Sequence, residues 1–325
     1  MIFITSKYYT LVVITLTTIQ NRLSPYQKGC LSILFASLLW GTTGTVASLA
    51  PEISPLAIGA FSMGIGGMVQ ASLAYTEITQ HCRKILSHKK RLFISALALA
   101  IYPLAFYSSM NLAGVAVGTV ISIATAPFFS VLLECLFGKN TYITKQWILS
   151  FGIGVVGITL LAFSELSGMT HGDSSLRLLG IVLGIAAGLT YAIYSWVAKT
   201  MIDEGVPSQA AMGSIFGIGA TLLIPTLIFT GGTLFSSSTN ALVLGYMAVV
   251  PMCFGYIAFG FGLRHVEASN ATLLTLLEPV VAAALAVVVV GELIPRLGWC
   301  GIGLITICLL IQSKSEWSLT LSWSK

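Results

Sequence analysis

Residues 268–290 read ASNATLLTLLEPVVAAALAVVVV, an apolar run in which Glu278 is the one charged side chain. A helix needs about 20 mostly apolar residues to cross the hydrocarbon core of a bilayer. This run is long enough, and it is continuous rather than alternating, which favours a helix over a barrel strand. The stretch therefore predicts a membrane-spanning helix with a carboxylate about halfway along it.

Runs of the same kind recur along the whole chain. Apolar residues make up 56% of the 325 residues and charged residues 8%, whereas a soluble domain carries roughly 25% charged residues. Ten segments qualify as spans, near residues 29–50, 56–75, 92–111, 114–137, 146–164, 178–198, 209–230, 241–263, 268–290 and 297–313. We therefore predict an all-α membrane protein of ten transmembrane helices rather than two soluble domains.

Basic residues predict the orientation of these spans. With the amino terminus in the cytoplasm, Arg177 and Arg296 are the two basic residues in external loops. The other 14 of the 16 fall in cytoplasmic segments: Lys7, Arg22, Lys28, Arg83, Lys84, Lys89, Lys90, Arg91, Lys139, Lys145, Lys199, Arg264, Lys314 and Lys325. Cytoplasmic loops of membrane proteins carry this excess of basic residues, so we expect both termini to be cytoplasmic.

The two ends of the chain lie outside the predicted spans. Residues 1–28 contain an apolar, threonine-rich piece from Tyr8 to Ile19, which is short for a span. It is either an interfacial segment or sequence upstream of the true start, and as an eleventh span it would leave the rest unchanged. A cleaved signal peptide is disfavoured because no small-residue cleavage site precedes a polar region. Residues 314–325 form a short cytoplasmic tail.

The two halves of the chain resemble each other at an offset of 152 residues. Three pairs keep this offset: Pro55 and Pro207, Pro127 and Pro279, and Trp147 and Trp299. This predicts an internal duplication, with repeats at residues 29–164 and 178–313. Because each repeat holds five spans, the second copy enters the membrane inverted relative to the first. Inverted repeats suit alternating access in transporters, although a duplication could also build a stable bundle with no transport role.

Three short motifs resemble those of a known family. They are Leu38-Leu-Trp-Gly-Thr42, Leu276-Leu-Glu-Pro-Val280 and the pair Gly291-Glu292. The chain resembles the drug/metabolite transporter superfamily, specifically the EamA-type ten-helix exporters, from residue 29 to residue 313. This resemblance implies a bacterial inner-membrane carrier that exports amino acids or related metabolites. Many such carriers have an arginine seven residues after the proline that opens span two, but here Ser62 and its repeat equivalent Ser214 stand instead.

Spans four and nine are the predicted walls of a central site. One face of span nine carries Ala268, Ala271, Thr275, Glu278 and Ala282, and the matching face of span four carries Ala116, Thr119, Ile123, Ala126 and Ser130. Small residues allow close helix approach, and polar residues can line a cavity. Pro127 and Pro279 are predicted to bend these helices, because proline removes a backbone donor.

Glu278 has two interpretations. A carboxylate at that depth is costly unless it is paired, hydrated or protonated, and no Lys or Arg lies deep in a predicted span. The functional interpretation is that Glu278 is a proton-coupling group or an anchor for a substrate amine. The structural interpretation is that it bonds backbone groups loosened by Pro279. The sequence favours the functional and the structural interpretation about equally.

Aromatic and hydroxyl side chains are the predicted substrate contacts. They are Trp40, Tyr102, Tyr107, Thr119, Tyr191, Tyr194, Tyr256 and Thr275. Aromatic rings with a polar group can line a cavity and recognise a substrate by stacking and hydrogen bonding. Taken singly, each ring is better explained by ordinary packing, but of the set we expect at least two to face a cavity.

The remaining acids and the cysteines suggest no further chemistry. Glu134 is explained by snorkelling or by pairing with Lys139. Glu52, Glu165, Asp173 and Glu292 are expected in solvated external loops. No CxxC pair, HExxH, Walker or GxSxG motif is present, so we expect no metal and no cofactor.

A lack of deep cations argues against a strongly anionic substrate. A neutral, zwitterionic or weakly cationic molecule fits better, and amino acids and amphiphilic amines both qualify. The expected partners are this small molecule, the lipid bilayer and, where transport is coupled, protons; no nucleic acid is expected, and the oligomeric state is open. Export, uptake and facilitated diffusion also stay open. A membrane-embedded enzyme is disfavoured because Glu134 and Glu278 lie at different depths, and a scaffold because the tail is short.

Overall fold

The computed structural model describes residues 23–138, 143–165, 174–291, 294–313 and 320–321. Nearly all of these described residues are helical. One short antiparallel pairing joins Ile143–Thr144 to Thr320–Leu321. The predictions for residues 1–22, Lys139, Asp173, Glu292 and most of the tail concern residues outside those described.

The long helices are labelled α1 to α10 in chain order. They are α1 (Pro25–Gly41, continued by Thr43–Ala47), α2 (Pro55–Leu73), α3 (Lys89–Ala113), α4 (Val115–Phe137), α5 (Lys145–Glu165), α6 (Ser174–Asp203), α7 (Ser208–Leu223, continued to Thr230), α8 (Ser238–Leu263), α9 (Ala268–Leu274 and Leu277–Leu285, continued to Val290) and α10 (Arg296–Gln312). Two short helices, Tyr75–Gln80 and Cys82–Ser87, connect α2 to α3.

Eight of these helices are long and apolar enough to cross a membrane, namely α1 to α4 and α6 to α9. The apolar portions described for α5 and α10 are shorter, Lys145–Leu161 and Arg296–Gln312. Large apolar side chains such as Phe229 (89% exposed) and Val288 (81% exposed) cover the outside of the bundle. An apolar surface of this extent suits lipid rather than water. The chain is therefore an all-helical, multi-span membrane protein.

The helices begin at recognisable caps. Ser24 accepts a hydrogen bond from the Gln27 amide, and the Gln27 side chain accepts one from the Ser24 amide, which together form a capping box. Ser54 caps α2 in the same way by accepting from Ala57. Pro25 and Pro55 occupy the first helical positions, where a missing N–H costs nothing. These serine-proline pairs explain why α1 and α2 start where they do.

Packing between helices links the two halves of the chain. α6 packs against α3 and α4, while α1 packs against α8 and α9. Likewise, α7 packs against α3, while α2 packs against α8. Exchanging each helix number n for n + 5 or n − 5 converts one contact of each pair into the other. These three pairs of contacts are therefore preserved when the two halves are interchanged.

Three further pairs join a helix to its counterpart five helices away, and all three run antiparallel. In α2 and α7, Gly64 lies beside Ile224 and Gly213 lies beside Ala74. The order of contacts is also reversed between α5 and α10, and between α4 and α9. A Cβ on Gly67 would stand 2.7 Å from the carbonyl oxygen of Phe216, so this pair needs glycine to pack so closely.

Candidate functional site

A small cavity lies about halfway along the bundle, and we call it the central cavity. Six of the predicted site residues line it: Trp40, Tyr102, Tyr107, Tyr191, Tyr256 and Glu278. Its volume is about 40 Å³, which admits about three water molecules and no amino acid. The cavity is therefore closed around a carboxylate and a group of aromatic rings.

Trp40 is positioned by α8. Its indole Nε1 donates a hydrogen bond of 3.0 Å to the carbonyl oxygen of Pro251, which lies in the π-helical part of α8, Ala248–Gly255. Its ring centroid lies 4.6 Å from that of Tyr256. A Cβ on Gly255 would stand 2.7 Å from Nε1, so the indole rests directly on α8 backbone. The tryptophan thus has one fixed orientation at the cavity wall.

The Trp-Gly motif of α1 meets the Glu-Pro motif of α9. A Cβ on Gly41 would stand 2.5 Å from the Cβ of Val281 and 2.9 Å from the carbonyl oxygen of Glu278. Only a glycine allows this distance without a shift of one helix. The first part of α1 ends at Gly41, and the helix resumes at Thr43. Two of the motifs that carried the family resemblance, Trp-Gly and Glu-Pro, therefore contact each other beside the carboxylate.

α9 is interrupted next to Glu278. The helix stops at Leu274 and resumes at Leu277. Pro279 has no N–H to donate to the carbonyl oxygen of Thr275, and the amide of Glu278 donates to that oxygen instead, at 2.9 Å. Glu278 consequently lies in the first turn of the second α9 segment, where the helix dipole favours a negative charge.

The Glu278 carboxylate is half-buried, and it forms no ion pair with any lysine or arginine among the described residues. Four tyrosines lie within electrostatic range of the carboxylate: Tyr102, Tyr107, Tyr191 and Tyr256. An acid in an aromatic wall is an arrangement suited to an ammonium group, which gains from the charge and from the ring faces.

The tyrosines form a packed layer rather than isolated contacts. Tyr191 lies with its ring centroid 5.6 Å from that of Tyr102 and 5.2 Å from that of Tyr194. The hydroxyls of Tyr194 and Tyr256 are 2.9 Å apart. Tyr107 packs over Gly59, where a Cβ would stand 2.5 Å from the ring. Tyr194 is fully buried behind this layer and does not line the cavity.

Two further predicted contacts lie away from the central cavity. Thr119 is in the second turn of α4 and is not among the lining residues. Thr275 is buried, and its hydroxyl donates to the carbonyl oxygen of Thr272 behind the cavity wall. Contact of either residue with substrate stays a prediction. So does helix bending at Pro127, since α4 continues through it without interruption.

Other lining residues were not predicted as site residues. They are Thr43, Gly59, Ser62, Met63, Pro103, Phe106 and Met252. Ser62 stands where many similar carriers have an arginine, and its hydroxyl donates to the carbonyl oxygen of Ile58 at 2.6 Å. With a serine there, the described lining of the cavity holds no cation beside Glu278. The seven-residue offset from Pro55 identifies this position in the sequence.

A larger opening, which we call the vestibule, lies at the end of the bundle where α4 and α6 end and α9 begins. Its volume is about 560 Å³. Six charged residues line it: Arg91, Glu134, Lys199, Asp203, Glu204 and Glu267. Lys199 Nζ lies 2.8 Å from Asp203 and 3.7 Å from Glu267, and Arg91 lies 2.9 Å from Glu204. With four acids and two bases, the part of the vestibule lining that the structure describes has an excess of negative charge.

Glu134 has a role that sequence reasoning missed. Its Oε1 accepts a hydrogen bond of 2.8 Å from the amide of Ser269, in the first turn of α9. The sequence predicts instead that Glu134 snorkels or pairs with Lys139, which is outside the described residues. The signal was present in the three-residue spacing of Ser269, Thr272, Thr275 and Glu278, a line of polar side chains in an otherwise apolar span.

Comparison with known proteins identifies the family. Residues 27–163 and 178–313 each match the EamA-like transporter family. The chain belongs to the EamA-like transporter family. This confirms the predicted resemblance, and it makes the chain a membrane transporter. Two of the three motifs that carried the resemblance, Trp-Gly and Glu-Pro, pack against one another at Glu278.

Relatives of this EamA-like transporter are named as transporters. It is 32% identical over 286 residues to the Bacillus subtilis (strain 168) "Uncharacterized transporter YwfM", covering 88% of this chain and 93% of that protein. It is 25% identical over 196 residues to the Escherichia coli (strain K12) "Uncharacterized inner membrane transporter YedA", covering 60% and 61%. These names point to a transporter of the inner membrane rather than an enzyme.

A solved structure has the same fold. A crystal structure superposes with a TM-score of 0.72 at 17% sequence identity, covering 87% of this chain and 95% of that one. At this identity the likeness extends to the fold alone. It supports the helical arrangement and carries nothing about substrate.

Proposed function

We propose that this EamA-like transporter exports an amino acid or a related small molecule with an amino group, and that Glu278 binds the amine and a proton in turn. The proposal depends mainly on the position of Glu278 in a cavity lined by tryptophan and tyrosine. This acid has no cationic partner among the described residues. An intramembrane acid of this kind is functional by default. Because one site cannot hold both cations at once, proton binding releases the amine.

The mechanism requires two inverted five-helix repeats, and we propose that all ten long helices cross the membrane. Support comes from the interchangeable contact pattern and from the antiparallel pairing of α2 with α7, α4 with α9 and α5 with α10. A helix and its inverted copy must run in opposite directions. The match of the family to both halves of the chain also supports the repeat. α5 spans 21 residues, about 31 Å at 1.5 Å per residue, enough to cross a bilayer.

The open vestibule and the closed central cavity fit one stage of alternating access. We propose that the vestibule faces the cytoplasm, with both termini on that side. The starts of α3 and α5 and the ends of α6 and α8 lie at this end and carry basic residues, while Arg177 and Arg296 lie at the other. A negative vestibule attracts amines in preference to anions.

Amphiphilic amines are a second candidate substrate class. Met63, Phe106 and Met252 give the cavity apolar surface besides its tyrosines. Methionine adapts to ligands of varied shape, which is a property of promiscuous sites. The same acid would bind the amine in both cases.

The test is flux in proteoliposomes with the wild type and Glu278→Gln. A panel of labelled amino acids, one amphiphilic amine and one dicarboxylate is offered with and without a pH gradient. We expect the wild type to carry an amine-containing compound faster with the gradient, and Glu278→Gln to lose that acceleration. Glu77→Gln, which changes an acid with a 40% exposed side chain in the helix Tyr75–Gln80, is the control and should behave as wild type. Full gradient-driven flux by Glu278→Gln would refute the proposed coupling.

A further inference from the structure

Polar residues occur at every third position of α9 from its start to the central cavity. They are Ser269, Thr272, Thr275 and Glu278. The first three are almost completely buried, with exposures of 4%, 0% and 1%. Buried hydroxyls must be hydrogen-bonded, and Thr272 and Thr275 donate to α9 carbonyl oxygens. Each keeps its oxygen lone pairs for a second partner.

α4 supplies the partners on the opposite side. Glu134 Oε1 accepts from the Ser269 amide at 2.8 Å, and the hydroxyls of Ser130 and Thr272 are 3.2 Å apart. Ser130 and Glu134 are four residues apart, so they lie on one face of α4. Polar groups therefore meet across the α4–α9 interface over about one helical turn.

The line continues to the central cavity through Tyr191. The Thr275 hydroxyl lies beside the Tyr191 hydroxyl, at a geometry short of a full hydrogen bond. Tyr191 lines the cavity together with Glu278. We call the set Glu134, Ser130, Thr272, Thr275 and Tyr191 the polar seam. One end of it is a carboxylate in the vestibule, and the other end is a tyrosine that lines the cavity together with Glu278.

Glu134 is the most buried of the four acids that line the vestibule. It is 8% exposed, whereas Glu267 at the same opening has a side chain that is 61% exposed. The charged groups around it are Arg91 on α3, Lys199 and Asp203 on α6, Glu204 just after α6 and Glu267 just before α9. α5 contributes Trp147 but no charged side chain to the described lining. Lys199 is already engaged by Asp203 and Glu267, so it neutralises Glu134 only in part.

We infer that Glu134 is a second proton-binding site, through which a proton leaves Glu278 along the polar seam and reaches the vestibule. The inference rests on the proposed function, because in export the amine binds from the cytoplasmic vestibule and displaces the proton of Glu278. Each hydroxyl of the seam accepts one proton and passes on its own, and Glu134 gives the proton to water in the vestibule. Glu278 is then the anion that binds the ammonium group, and Glu134 returns to the anion.

This arrangement also couples the proton to the helix contact. Ionised Glu134 is the stronger acceptor for the Ser269 amide and is favoured by the dipole at the start of α9. Protonation weakens both interactions at the vestibule end of the α4–α9 contact. Arrival of the proton is therefore registered by the helix that carries Glu278.

The test compares two kinds of flux in Glu134→Gln proteoliposomes. Glutamine keeps the size of the side chain and an oxygen that accepts from Ser269, but it cannot carry a proton. With a labelled amino acid that the wild type transports, we expect gradient-driven flux to fall by about tenfold or more, as for loss of a proton-transfer group. Exchange of labelled for unlabelled amino acid, which moves no net proton, should stay near the wild-type rate. Glu77→Gln, whose side chain is in neither the vestibule lining nor the central cavity lining, is the control and should change neither flux.

The outcomes separate the inference from the proposed function. If Glu134→Gln retains gradient-driven flux, or loses exchange as well, Glu134 is a structural cap and the inference fails. Thr272→Val, which keeps the shape and removes the seam hydroxyl, should slow gradient-driven flux and spare exchange; it decides the question if Glu134→Gln does not fold. Failure of the Glu278→Gln prediction would instead remove the proposed function itself.

Discussion

Trp40 illustrates how single residues define the central cavity. Its position follows from one hydrogen bond, from Nε1 to the carbonyl oxygen of Pro251, and from its packing on Gly255. That carbonyl oxygen lies in the π-helical part of α8, where the backbone hydrogen bonds depart from the regular α-helical pattern. The side chain at the cavity is thus oriented by a backbone irregularity in a different helix.

Replacing Trp40 with phenylalanine tests this contact. Trp40→Phe leaves a buried carbonyl oxygen without its donor, which costs about 1–3 kcal/mol. We expect a lower temperature of unfolding in detergent and weaker binding of the transported amine. Trp299→Phe is the control, because Trp299 is 56% exposed on α10 and should tolerate the change. Equal unfolding temperatures for the two variants would argue against the hydrogen bond.

At the scale of the elements, the contact between α1 and α9 brings the site together. α1 is interrupted at Thr42 and α9 at Thr275–Leu276, and Gly41 allows the two helices to touch between these breaks. Interrupted helices near the midplane are a recurrent feature of transporter binding sites, since they expose backbone groups to the cavity. The breaks also provide places where each helix can change its angle.

Gly41→Ala should separate these two helices. The new methyl group would meet Val281 at 2.5 Å, and overpacking of this kind costs about 1–3 kcal/mol. We expect loss of flux and a lower unfolding temperature. Gly44→Ala is a close control three residues away, because nothing lies within 4 Å of that position. If the clash is the cause, Val281→Ala in the Gly41→Ala background should restore part of the flux; no restoration would point to another role for Gly41.

At the scale of the whole molecule, much of the arrangement could be predicted from the sequence. Long apolar runs predicted the spanning helices, and the family resemblance carried by the Trp-Gly and Glu-Pro motifs is confirmed. The contact of Gly41 with Glu278 could not be predicted, because it joins residues more than 200 positions apart. The same limit applies to Glu134, whose partner Ser269 lies on another helix.

The composition of the cavity was predictable only in part. Deep aromatic residues are candidates because a ring with a polar group can form a cavity wall, and five of the six line one cavity. Tyr194 does not, because it is fully buried in the layer behind the cavity, against the ring of Tyr191. Met63 and Met252 carry no distinctive signal in an apolar run, so their place at the cavity is known only once α2 and α8 are in position.

The central claim is that an amine and a proton compete for Glu278, and proton release on binding tests it most directly. Purified transporter in weakly buffered detergent solution receives the amino acid that it carries, while the pH is recorded over a range from about 5 to 8. Because binding and protonation are linked, the wild type should release up to about one proton per amino acid bound. Glu278→Gln should release none. Release of the same size by Glu278→Gln, or none by the wild type at any pH in this range, would contradict the account.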